Sequence, residues 1–122
     1  MKKVVFICVH NSCRSQIAEA LCRVYRNDLI PYSAGTKIKG IINQDAVRVM
    51  KEKYNIDMTT QYPKLLKDIP DCDIYISMGC NVVCPIINKG FDDNFGIDDP
   101  TGKNDEVFIK VIEEIKNKIL NL

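Results

Sequence analysis

Within the first 25 residues the hydrophobic pattern changes period, and that change limits what the chain can build. Lys3 to Val9 holds a continuous apolar run, Val4 to Val9. Its length and its Val and Ile content suit a strand buried on both faces, as in a parallel sheet. From Ser15 to Tyr25 the apolar residues Ile17, Ala18, Leu21, Cys22 and Tyr25 fall on one face of a helix. The alternation then repeats. Leu29 to Ser33 reads as a second strand ending at Ala34-Gly35. Asn43 to Tyr54 reads as a helix with Ala46, Val47, Val49 and Met50 inward. Asp73 to Met78 is a third buried strand closed by Gly79, and Phe95 to Ile97 a fourth. Val107, Phe108, Val111, Ile112, Ile115 and Ile119 mark a long C-terminal helix.

Strands alternating with helices predict an α/β fold: one domain over residues 1–122, with a four-stranded parallel sheet and helices on both faces. A chain of 122 residues suits a single core. Ligands in such folds sit at the carboxyl ends of the strands. The segments after Val9 and after Met78 therefore share one rim.

Seventeen basic against sixteen acidic residues leave a net charge of +1, which argues against electrostatic binding to nucleic acid or to a membrane surface. No apolar run approaches the ~20 residues of a membrane span. The start Met1-Lys2-Lys3 is basic and then apolar, but the apolar stretch breaks at His10-Asn11. It reads as a strand rather than a signal peptide. A cytoplasmic, monomeric protein is expected. Six cysteines stand out: Cys8, Cys13, Cys22, Cys72, Cys80 and Cys84. In a reducing compartment such residues are catalytic, metal-binding or simply buried.

The first constellation is Cys8-Val9-His10-Asn11-Ser12-Cys13-Arg14-Ser15, which runs from a strand directly into a helix. Val9, His10, Asn11, Ser12, Cys13 and Arg14 form a loop whose backbone N–H groups can converge on one point, beside the partial positive charge of a helix N-terminus. That is a cradle for a tetrahedral oxyanion. Arg14 adds a planar fork able to grip two oxygens. Cys8, at the strand end, faces the same dipoles, which stabilise a thiolate as they do an anion. The Ser15 hydroxyl can donate to the sulfur. The plainer alternative is a buried strand cysteine and a surface arginine. It loses weight because strand, helix and Ser15 all accompany the spacing.

The second constellation is Cys80-Asn81-Val82-Val83-Cys84, after the third strand. Three readings stay open: half of a zinc site, a redox pair, or two buried thiols. Zinc usually needs four ligands in repeated pairs, and the remaining candidates are one histidine and scattered cysteines. One helical turn would put the two Cβ atoms roughly 5–6 Å apart, against ~3.8 Å in a disulfide. Closing that bond requires local distortion, which makes a disulfide easy to reduce. Cys22 and Cys72 are expected to be structural. Asp99 before Pro100 is a candidate general acid, with Asp98, Asp92 and Asp93 as rivals.

Taken together, Cys8-x5-Arg14-Ser15, Ser33-Ala34-Gly35-Thr36 and Asp99-Pro100 resemble the low-molecular-weight protein tyrosine phosphatases and the thioredoxin-coupled arsenate reductases built on their fold. The resemblance spans nearly the whole chain. Gln16-Ile17-Ala18-Glu19-Ala20 and Asp98-Asp99-Pro100-Thr101-Gly102-Lys103 are similar to the reductase branch. The phosphatases tend to follow Asp-Pro with aromatic residues, and Thr101-Gly102 supplies none. His10 stands where many members carry glycine.

The resemblance implies reduction of arsenate to arsenite, with Cys8, Arg14, Ser15, Asp99, Cys80 and Cys84 as catalytic residues. It implies a transient Cys8–Cys80 disulfide and a final Cys80–Cys84 disulfide. It implies thioredoxin as reductant and partner, arsenate or phosphate as the bound oxyanion, and no tightly bound cofactor. The C-x3-C spacing is shorter than that branch commonly shows. Asn11 and Ser33 resemble residues that brace the loop. With Glu19 they also resemble part of a potassium site, and Lys64 stands where its acidic residue would be, so a lysine ammonium in the cation's place is expected. The alternatives are a phosphatase working through a phosphocysteine, and a non-catalytic redox or metal-binding module.

Overall fold

The computed structural model describes residues 1–38, 40–79 and 90–122. Four strands and three α-helices follow in the order β1 (Lys2–Cys8), α1 (Arg14–Tyr25), β2 (Leu29–Gly35), α2 (Gln44–Tyr54), β3 (Ile74–Ser77), β4 (Asp93–Asn94) and α3 (Asp105–Leu120), with a single 3-10 turn at Leu66–Asp68. The sheet order is β2-β1-β3-β4. Every pairing is parallel, as the apolar runs predict. β1 lies at the centre, with Cys8 beside Gly35 of β2 and Ile7 beside Ser77 of β3. The carboxyl ends of all three strands thus meet at one rim.

Alternation along β1 divides the core. Val4, Phe6 and Cys8 join the buried faces of α1, α2 and α3. Val5 and Ile7 join Ala34 and Leu66, with Tyr32, Ile69, Cys72, Tyr75 and Phe91 against them. Helical elements therefore stand on both faces: the three α-helices on one, the 3-10 turn on the other. Ile17, Leu21, Phe108, Ile112, Ile115 and Ile119 have no exposed surface. Burying one such side chain stabilises by ~1.5–3 kcal/mol. Tyr25 and Val107 lie at the edges of their helix faces and stay exposed.

The fourth strand differs from the sequence expectation. The ladder with β3 is formed by Asp93–Asn94, not Phe95–Ile97. Phe95 and Ile97 are buried, and their N–H groups donate to Ser77 O and Met78 O, each at 2.8 Å. Between them Gly96 takes a left-handed φ of 62°, which ends the ladder. The apolar pair therefore follows the ladder and still bonds to the end of β3.

Candidate active site

The loop between β1 and α1 is tied down from outside, mostly through its carbonyls. Val9 O accepts from Thr36 N and Lys37 N at 3.0 and 3.1 Å, Ser12 O from Asn43 N at 2.7 Å, and Cys13 O from Ile17 N at 2.9 Å. Asn11 O accepts from Gln16 Nε2 at 3.0 Å. Among the described residues, none of the N–H groups of residues 10–13 donates to a protein acceptor. The loop thus keeps its donors for something else. The helix ends agree. Asn43 caps α2 through Ala46 N, and Asn104 caps α3 through Val107 N. α1, which the loop enters, has no side-chain cap. Uncapped N–H groups at a helix start attract an anion.

Backbone geometry explains why these residue types are needed. Asn11 holds a left-handed φ of 54°, a conformation asparagine tolerates better than most residues. Gly35 faces the loop so closely that a Cβ there would lie 2.8 Å from Val9 O and 3.0 Å from Asn11 N. Any larger residue would push the loop off β2.

Cys8 Sγ lies 2.8 Å from Ser15 Oγ, both side chains buried, and Asn11 Nδ2 donates to the same oxygen at 2.8 Å. Arg14 Nη1 donates to Ile97 O at 2.7 Å. That bond uses one of five guanidinium donors and aims the fork. A Cβ on Gly79 would collide with this guanidinium, so glycine after β3 is what lets Arg14 lie there. Cys8, Val9, His10, Ser12, Cys13, Arg14 and Asp99 line one cleft of about 40 Å³. Roughly 10–15 Å³ of such space holds one water, so the cleft has room for a small ion. His10 is partly exposed at its rim.

Asp99, expected as the acid, does reach this cleft. Its Oδ1 accepts from Thr101 N at 3.1 Å and Thr101 Oγ1 at 2.7 Å. Asp98 is exposed and does not line the cleft. Cys13, four per cent exposed, has its thiol pushed up to about 12, chiefly by burial and then by the Asp99 and Cys8 charges. Cys22 is fully buried and pushed up to about 11 by burial. Cys72 is partly buried, also pushed up to about 11, and donates to Pro70 O at 3.4 Å. Cys80 and Cys84 lie outside the described residues.

The expected cation-site residues do gather. Lys64 Nζ lies 3.4 Å from Glu19 Oε1, 3.3 Å from Ser33 Oγ and 3.3 Å from Tyr62 O. Ser33 Oγ also donates to Glu19 at 2.8 Å. Asn11 meets the backbone of Lys64 rather than its ammonium, with Oδ1 accepting from Lys64 N at 2.9 Å. Among the described residues no group of three or more His, Cys, Asp or Glu side chains is placed to hold a metal. No described helix is long and apolar enough to cross a membrane.

Three positions escaped the sequence reading as parts of the site: Gly35, Gly79 and Gln16. The two glycines were legible as strand ends, but which atoms crowd them is a tertiary fact. Gln16 was visible as part of a motif similar to the reductase branch, but with no role attached to it.

Known proteins with this sequence and shape point the same way. An arsenate reductase of Bacillus cereus (strain 03BB102) is 35% identical over 127 residues, covering 97% of this chain and 91% of its own. A solved arsenate reductase in the phosphate binding state superposes with a TM-score of 0.87 at 31% identity, covering 99% of this chain and 95% of that one. A thioredoxin-dependent arsenate reductase of Corynebacterium glutamicum superposes with a TM-score of 0.75 at 28% identity, over 99% of this chain and 59% of its own. The model of the low molecular weight phosphotyrosine protein phosphatases matches residues 3–122. With the family model matched from residue 3 to residue 122 and relatives 35% identical over 97% of its length, the chain belongs to the low molecular weight phosphotyrosine protein phosphatase family.

Proposed function

We infer that this protein is an arsenate reductase that works by a cysteine relay and is recycled by thioredoxin. The observation that carries the reading is the buried Cys8–Ser15 contact, 2.8 Å long, at the base of an ion-sized cleft shared with Arg14 and Asp99. Full-length similarity to arsenate reductases selects the oxyanion.

The loop N–H groups and Arg14 hold arsenate with arsenic facing Cys8. The Cys8 thiolate attacks arsenic, and Asp99 protonates the departing oxygen. Cys80 then attacks the Cys8 sulfur. The As–S electron pair stays on arsenic, which falls from the pentavalent to the trivalent state and leaves as arsenite. The two sulfurs are oxidised to a Cys8–Cys80 disulfide. Cys84 attacks Cys80 and frees Cys8 as thiolate, leaving Cys80–Cys84 for the dithiol of thioredoxin to reduce. Support for that reductant is the name of the Corynebacterium relative. Phosphate fits the same cradle, so slow aryl phosphate hydrolysis through a phosphocysteine accompanies the main reaction. Lys64 takes the place of a bound cation, neutralising Glu19 and bracing Ser33 and the loop. The relay needs no tightly bound cofactor. It works in one domain, residues 1–122, as a cytoplasmic monomer where thiols are kept reduced.

The deciding assay combines enzyme, arsenate, thioredoxin, thioredoxin reductase and NADPH, and follows NADPH loss. Arsenate-dependent consumption is expected. Cys84→Ser should release one arsenite per enzyme and stall as Cys8–Cys80, seen by non-reducing peptide mapping. Cys80→Ser should stop earlier, with no thioredoxin-supported turnover. Aryl phosphate hydrolysis without any arsenate-dependent NADPH loss would instead assign a phosphatase.

A further inference from the structure

A buried amide runs beneath the loop, and the reaction above does not use it. Gln16 has no exposed surface. Its Nε2 lies 3.0 Å from Asn11 O, 2.9 Å from Asn11 Oδ1 and 2.9 Å from Tyr62 O. Two of these are backbone carbonyls, which only accept, so the nitrogen end must face them. Gln16 Oε1 then takes a hydrogen bond from Gln61 Nε2 at 2.8 Å. Gln61 Nε2 is fixed in turn, because it also donates to the main-chain oxygen of Gln16 at 3.1 Å. Gln61 Oε1 accepts from Arg23 Nη1 at 3.1 Å, and arginine has no acceptor. Each amide in this row has one orientation.

The row continues to the sulfur. Asn11 Oδ1 accepts from both Gln16 Nε2 and Lys64 N, so Asn11 turns its Nδ2 to Ser15 Oγ, 2.8 Å away. The Cys8 thiolate of the reaction read above can only accept, so the Ser15 hydroxyl directs its own proton to Cys8 Sγ at 2.8 Å. Donation therefore runs one way, from Arg23 through Gln61, Gln16, Asn11 and Ser15 to Cys8. Hydrogen bonds in such a series polarise one another. Asn11 is also the loop's left-handed residue, and Gln16 holds both its main-chain oxygen and its side chain.

We propose that Gln16, oriented by Gln61 and Arg23, is a positioning residue that makes Ser15 a hydrogen-bond donor to the Cys8 sulfur. It acts through Asn11 and Ser15. The proposal rests on Cys8 being the nucleophile, as read above.

The test is the pH profile of Cys8 alkylation by iodoacetamide, read by peptide mapping, with inorganic phosphate as protectant. Gln16→Met removes the donor to Asn11. Gln61→Glu keeps the side-chain shape and the contact with Arg23 but has no N–H for Gln16 Oε1. Each should move the profile toward alkali by about one pH unit, roughly a tenfold slower labelling at neutral pH. Gln16→Met alters a buried site and can fail to fold; Gln61→Glu sits at the edge of the network and then carries the test alone. Folded, phosphate-protected variants with wild-type profiles would overturn the proposal. So would a Gln61→Glu shift that vanishes in ~1 M potassium chloride, since that marks through-space charge rather than an ordered row. If wild-type Cys8 labels no faster than the other thiols and phosphate gives no protection, the nucleophile assignment has failed, and the positioning role falls with it.

Discussion

Cys8 and Cys13 stand at the two ends of one loop and have different neighbours. Cys8 Sγ has the Ser15 hydroxyl at 2.8 Å. Cys13, pushed up to about 12 by burial, stays a neutral thiol at neutral pH. Iodoacetamide at pH 7 should therefore label Cys8 and spare Cys13, because the thiolate is the nucleophile. Peroxide changes the partnership. Oxygen transfer to Cys8 should give a sulfenic acid, and its condensation with the Cys13 thiol is expected to give a disulfide and water. Cys13→Ser should keep turnover but lose its recovery by dithiothreitol after peroxide; full recovery would remove the protective role. Across the same cleft lining, Asp99→Asn should slow aryl phosphate cleavage by about a hundredfold to ten-thousandfold, the scale of a general acid. Phosphate affinity should change little, because the proton is needed in the transition state. Asp98→Asn, outside the cleft, should behave as wild type. The reverse result would shift the assignment by one residue.

The elements divide their ends between stability and function. Asn104 caps α3 through Val107 N at 3.1 Å. Asn104→Ala should cost about 1 kcal/mol in denaturant unfolding and leave the alkylation rate of Cys8 unchanged. Asn43 caps α2 through Ala46 N at 3.0 Å, while its own N–H holds Ser12 O of the loop at 2.7 Å. Asn43→Ala should cost a similar ~1 kcal/mol, since the main-chain bond to the loop survives the substitution. α1 has no side-chain cap at its start. Its other end is held instead. Arg26, just past the helix, donates to Ile119 O at 2.9 Å and Leu122 O at 2.8 Å, closing the C-terminal turn of α3. The helix that serves the anion is thus anchored far from it.

At the scale of the whole molecule, the buried thiols make stability depend on alkaline pH. Cys13 is pushed up to about 12, and Cys22 and Cys72 to about 11, each from an ordinary 9.0 and each mainly by burial. Above pH 9 the unfolded chain releases these protons while the folded chain keeps them. Stability is then fully present below pH 9 and falls as pH rises toward 11–12. The urea midpoint should decline over that window in the wild type, and less steeply in Cys22→Ala once its own loss of packing is subtracted. On the acid side, the Arg26 guanidinium holds Asp28 down to about 2, and Arg48 lowers Asp105. These exposed pairs weaken as pH falls through the carboxylate range, a minor effect beside the thiols.

Local pattern alone determined the parallel sheet, because a strand buried on both faces must be apolar along its length and Val4 to Val9 is. It also determined the loop that joins Cys8 to Arg14 and Ser15, because these residues are close in the chain and their spacing survives any packing. The gathering of Glu19 and Ser33 around Lys64 was legible only through family resemblance. What no local pattern holds is direction and crowding between distant segments. The last ladder fell on Asp93–Asn94 because Gly96 breaks the extended chain, although the apolar residues follow it. At Gly79 a Cβ would displace the Arg14 guanidinium, which comes from another element, from its place. Gln16 acquired a role because backbone carbonyls of Asn11 and Tyr62, 51 residues apart in sequence, converge on one nitrogen. Hydrogen bonds have a donor end and an acceptor end, and only the folded chain decides which end meets which.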